Sequence, residues 1–193
     1  MPRITLESIP KLDAAIRQTE AAIDLYFLDY DPCATHTLAF AAYGILRDLN
    51  AKDNQIDLYS EFEWAKDEEE RQKLKVASRR AANFFKHSDR TGDKDDSWVE
   101  LNSRFTEMFI YDCCRAYASR SRSTQRLAMF AAWFLAHNLD VESISEIPKE
   151  AIARILDEYK SDEGRRFYYD HIARMDNPLM AVHDVKSLLT SKA

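Results

Sequence analysis

The residues from Arg79 to Gly92 read Arg-Arg-Ala-Ala-Asn-Phe-Phe-Lys-His-Ser-Asp-Arg-Thr-Gly, a cation-rich segment that runs into a polar turn. On a helix Arg80, Asn83 and His87 stand at i, i+3 and i+7 and form one stripe. A guanidinium, an amide and an imidazole in line can grip an anion and pass a proton. Leu74, Ala77, Ala81, Phe84 and Phe85 flank the stripe with apolar side chains, so it borders a packed face. Lys86, His87 and Arg90 also have a simpler explanation, because cations suit the negative end of a helix dipole.

A second polar seam lies upstream, where His36, Phe40, Tyr43 and Arg47 recur at helical spacing. His36 reads first as a buried histidine satisfied by a hydroxyl or backbone partner. With Arg47 it becomes a substrate-binding candidate if the two seams open onto one cleft. Cys33 and His36, three residues apart, have the types of an activated thiolate pair, although small-residue packing explains Cys33 better. Between Arg115 and Arg126 four arginines alternate with three serines. That turn suits a phosphate perch, and suits equally a surface where arginines balance acids. His171, His183 and Asp184 have no metal-site spacing such as His-Glu-x-x-His, so no metal and no cofactor is expected.

The elements that must carry these residues are helical. Only three glycines and five prolines occur among 193 residues, and no convincing strand run is present. The first helix is expected from Ser8–Pro10 to about Leu28. A second, capped by Asp31 with Pro32 in its first turn, should continue through Leu49, its small residues, Gly44 among them, permitting close packing. The third is expected in two pieces, about 55–65 and 67–87, the latter opened by Asp67-Glu68-Glu69-Glu70. A fourth should start at Ser97, with Glu100 completing a capping box and Trp98, Leu101, Phe105, Met108 and Phe109 inward. The fifth, Leu127 to His137, is apolar almost all round and must be interior. Further helices are expected from Pro148 onward. The fold class is therefore all-α, a single-domain bundle of about seven to eight helices, with a core at about 8–137 and a C-terminal helical extension at about 148–190.

The net charge of −6 argues against a protein that coats nucleic acid by bulk electrostatics and leaves room for a focal cationic site. Three cysteines without Cys-x-x-Cys spacing fit a reducing compartment. With no signal-peptide pattern and no membrane-length apolar run, a cytoplasmic, soluble protein is expected. No glycine-rich phosphate loop and no Gly-x-Ser-x-Gly occurs, which removes the main support for dinucleotide enzymes, P-loop enzymes and serine hydrolases.

An arginine followed after six residues by histidine near a helix end, in an all-helical chain of this size, resembles the HEPN superfamily of nucleotide-binding and ribonuclease domains. Arg80 and His87 carry the resemblance, with Asn83 as the motif's polar residue. Ala82 stands where active members place an arginine directly before that residue, so the resemblance bears more on the fold than on cleavage. It implies metal-independent RNA cleavage across a homodimer interface. His87 would exchange protons with the ribose hydroxyl or the leaving group, Arg80 would stabilise charge on phosphorus, and Asn83 would orient one of them. Lys86 and Arg90 would hold flanking phosphates. The alternative from another class is a non-catalytic helical module that self-associates or binds a partner protein through aromatic helix faces.

Overall fold

The computed structural model describes residues 7–53, 56–86 and 98–138, with the side chain of Ala136 excepted. Among these residues there are five α-helices and no strand: α1, Lys11–Phe27; α2, Pro32–Asp53; α3, Glu68–Lys86; α4, Ser103–Ala118; and α5, Gln125–His137. The all-α expectation holds for this part. The helices expected beyond Pro148 lie outside the described residues. None of the described helices is long and apolar enough to cross a membrane.

Local signals explain most helix ends. The Asp31 carboxylate accepts the Ala34 amide at 2.7 Å just ahead of Pro32, the N-terminus expected for α2. Preceding it, α1 closes in a Schellman turn, with the Tyr30 amide on the Leu25 carbonyl and the Asp29 amide on that of Tyr26. Asp29 takes the left-handed position, at φ 52°, that glycine usually fills. At α3 the Asp67 carboxylate receives the Glu70 amide, and three glutamates occupy the positive end of the helix. Thr124 caps α5, its hydroxyl accepting the Leu127 amide.

Two expectations are corrected. Residues 56–65 are not helical: an extended stretch leads into a 3₁₀ turn, Tyr59–Glu61, that ends at Phe62 in the left-handed region. Leu58 and Phe62 are buried as expected, but by a turn pressed onto α4. Helix α4 begins later than Ser97, at Ser103, because Asn102 supplies the cap by accepting the Arg104 amide. Trp98 therefore precedes the helix and is 75% exposed, not part of its inner face.

α2 and α4 form the middle of the bundle. α1 packs along α2 and also reaches α4 and α5, α5 packs on α4, and α3 leans on α2 and the 3₁₀ turn. Phe109, Ile110, Cys113, Cys114, Ala116 and Tyr117 of α4 meet Ala39, Ala42, Tyr43 and Leu46 of α2 in one continuous core. Tyr117 sends its hydroxyl to the Leu12 carbonyl at 2.7 Å, tying α4 to the start of α1. Burial pushes the Cys113 and Cys114 thiols well up, so both behave as small apolar residues.

Ala39 and Ala42 support the close packing expected of α2, whereas Gly44 does not contribute to it: a Cβ there would meet nothing within 4 Å. Gly44→Ala is expected to stabilise the domain by about 0.5–1 kcal/mol, since the unfolded chain loses freedom and no contact is strained. Urea unfolding measures it. A lower midpoint would show that this stretch of α2 needs glycine.

Candidate functional site

The 3₁₀ turn is built around one buried carboxylate. Asp112 of α4 is fully buried and accepts the Tyr59 and Ser60 amides, each at 2.7 Å, on its two oxygens. These are the first amides of the turn, so Asp112 acts as its cap from another helix. Burial pushes its carboxyl up to about 6, while the two amide bonds and Arg115 at 3.9 Å oppose that rise. Asn50 holds the preceding strand-like stretch through the Ile56 carbonyl and amide.

So fixed, the turn points Glu61 at α3. The Glu61 carboxylate receives Lys75 at 2.8 Å, Arg79 at 3.2 Å and the Tyr43 hydroxyl at 2.6 Å. Burial pushes this carboxyl up, but Lys75, Tyr43 and Arg79 outweigh burial and leave it below the ordinary value. Arg71 braces the outside of the turn by donating to the Glu61 carbonyl at 3.1 Å and pairing with Glu63. Above the hub lies an open cleft of about 830 Å³, lined by Arg47 and Asn50 of α2, Leu58, Glu61 and Glu63 of the turn, and Gln72, Lys75 and Arg79 of α3. Arg47 is half-buried and paired with its neighbour Asp48 at 2.8 Å.

The residues singled out in the sequence fall in different places. His36 is 1% exposed, in a box of Phe40, Phe85 and Phe109. Its Nδ1 lies 2.8 Å from the Thr106 hydroxyl, the hydroxyl partner expected of a core histidine, while Nε2 has no hydrogen-bond partner among the described residues. Lys86 places its ammonium 4.8 Å from the centre of the Phe40 ring, so His36 and Lys86 share one neighbourhood. Arg47 belongs to the cleft. Arg80 is exposed on a separate groove with Val76, Ala77, Glu100 and Phe105, and Asn83 is half-buried farther along α3. His87 and Arg90 lie outside the described residues, as do His171, His183 and Asp184.

Of the arginine-rich turn, Arg120 pairs with Asp53 at 3.2 Å, Arg126 with Asp24 at 3.1 Å, and Arg115 donates to the Asp57 carbonyl. These three secure the structure, as the charge-balancing reading had it. Among the described residues no group of three His, Cys, Asp or Glu side chains could hold a metal ion. The sequence reading missed Glu61, Lys75, Arg79 and Asp112. One signal was available: Lys75 and Arg79 are like charges at i, i+4, an arrangement that repels unless an anion sits between them.

No protein-family model, curated protein or solved structure matches this chain. The reading of the site rests on its own chemistry.

Burial, and then the nearby Lys86, lower the His36 pKa to about 4. The unfolded chain therefore binds this proton first as pH falls, so His36 contributes stability above about pH 6.5 that is lost toward pH 4. Over that window the stability difference between the wild type and His36→Gln should shrink by up to about 3 kcal/mol. Denaturant titrations at a series of pH values measure it, and a pH-independent difference would contradict a neutral, buried imidazole.

Proposed function

We propose that the chain is a HEPN-like helical domain that binds RNA or a nucleotide through its phosphates, in the cleft between α2, the 3₁₀ turn and α3. The observation that carries this reading is the meeting of Arg47, Lys75 and Arg79 on one open cleft. Lys75 and Arg79 converge on a single carboxylate, and a phosphate oxygen offers them the same kind of acceptor. Glu61 then serves as the resident anion that orders both cations before a ligand arrives. Glu63, the next acid on the wall, is engaged by Arg71.

On the same reading, cleavage is metal-independent and belongs to Arg80, Asn83 and His87 in a homodimer, with Lys86 and Arg90 on flanking phosphates. Binding and cleavage are thus separable. The Lys75→Ala/Arg79→Ala variant should lose about tenfold or more in affinity for a short single-stranded RNA at low salt, with a shallower salt dependence. His87→Ala should keep that affinity and lose cleavage in a gel assay without added metal. Unchanged RNA affinity in the double variant, folded by circular dichroism, rejects the cleft; unchanged cleavage in His87→Ala rejects the catalytic assignment.

The groove of about 810 Å³ between α3 and residues 100–105 favours a second reading, a module for self-association or partner binding. Val76, Ala77 and Phe105 give it apolar walls, and Val76 is 68% exposed. That reading expects no RNA binding and a self-association, seen by sedimentation, that Val76→Glu abolishes. A monomer at all concentrations would count against its self-associating form.

A further inference from the structure

The cations account for a ligand's phosphate but not for what is attached to it, and the far end of the same cleft supplies an answer. Tyr43 and Asn50 stand seven residues apart on α2, about 10 Å along its axis. Tyr43 marks the hub, through its bond to Glu61, and Asn50 marks the other end, through its two bonds to Ile56. Asp57 follows Ile56 and lines the cleft, as Ala51 and Ile56 also do. Its main-chain carbonyl is taken by Arg115 of α4 at 2.9 Å, and Arg115 does not line the cleft. The residue is exposed, so what it offers the cleft is its carboxylate.

Three acids line the cleft: Asp57, Glu61 and Glu63. Glu61 is held by Lys75 and Arg79 and Glu63 by Arg71, whereas the Asp57 carboxylate has no hydrogen bond or ion pair among the described residues. Its backbone is fixed, with Asn50 on Ile56 before it and Asp112 on the Tyr59 amide after it. A site for a bare anion gains nothing from a free carboxylate on its wall, because like charges repel. A cleft with cations at one end and an unpaired acceptor at the other suits a ligand with a phosphate at one end and N–H donors at the other. Among the nucleobases guanine alone has two adjacent donors on its Watson–Crick edge, N1–H and the 2-amino group, and a carboxylate accepts both at once. We propose that Asp57 selects guanine, and that the ligand class is a guanosine phosphate with its base unpaired. The inference rests on the phosphate-cleft reading above.

Isothermal titration with inorganic pyrophosphate and with the monophosphates of guanosine, adenosine and xanthosine separates the two. The wild type should bind guanosine monophosphate about tenfold or more tighter than either of the other nucleotides. Asp57→Asn offers an oxygen to N1–H and an amino group to the 2-carbonyl of xanthine. It should therefore exchange the preference, weakening guanosine monophosphate about tenfold and gaining xanthosine monophosphate, while pyrophosphate binds no more weakly than in the wild type. A short single-stranded RNA with one guanine carries the same base edge; whichever of it and the mononucleotide binds tighter is the source, and the guanine preference is required of both. A guanine preference that persists in Asp57→Asn, its loss without the gain of xanthine, or no preference in the wild type with pyrophosphate still bound overturns the pairing alone. Failure of every probe to bind overturns the cleft, and the pairing with it.

Discussion

A carboxylate with no access to water caps a turn that its own segment has no means to cap. Asp112 lies in the middle of α4, where an ionised acid is expensive to bury, and its two oxygens are each met by an amide of the 3₁₀ turn. That arrangement makes the turn and α4 depend on each other. Without the turn, Asp112 is a buried charge lacking its two amide partners. Without Asp112, the Tyr59 and Ser60 amides lose theirs. The phosphate-binding reading stands on the wall so fixed, since Glu61 and Glu63 both line the cleft.

The charged groups form two connected tiers. Asp112 fixes the turn from inside, and the turn delivers Glu61 to Lys75, Arg79 and Tyr43. The outer tier is partly buried, whereas Asp112 of the inner tier is fully buried. Asp112 and His36, both buried and titratable, act in opposite directions as pH falls. Asp112, with its raised pKa, takes up a proton more readily in the folded state, so it adds stability as pH falls from about 6 toward the ordinary carboxylate value, below which that gain is complete. His36, with its lowered pKa, resists protonation when folded and does the reverse.

How much was legible in the sequence follows from where the deciding atoms lie. Asp31-Pro32, the acidic run before Arg71, and the apolar stretch from Leu127 are local signals, and α2, α3 and α5 appear where those signals place them. The stretch from Leu58 to Ala65 has apolar residues at helical spacing, and what turns it into a 3₁₀ corner is a side chain 53 residues away. No local pattern reports such a partner. The start of α4 was misplaced for a smaller reason: Ser97 and Asn102 are both good caps, and pattern alone does not choose between them.

The candidate site was legible in kind but not in membership. Cations on α3 and Arg47 on α2 were picked out, yet Arg80 was preferred to Arg79. Neighbours on a helix differ by about 100° in direction, so the choice depends on which face is inward. That face is made by Ser78, Ala81 and Ala82, residues too small to advertise burial by hydrophobicity, and it turns Arg79 toward Glu61 while leaving Arg80 exposed. The long-range cap is the claim on which this account stands, and native-state hydrogen exchange of the Tyr59 and Ser60 amides tests it most directly. Protection comparable to the core amides of α4 is the result it predicts; exchange as fast as that of an exposed loop would contradict it.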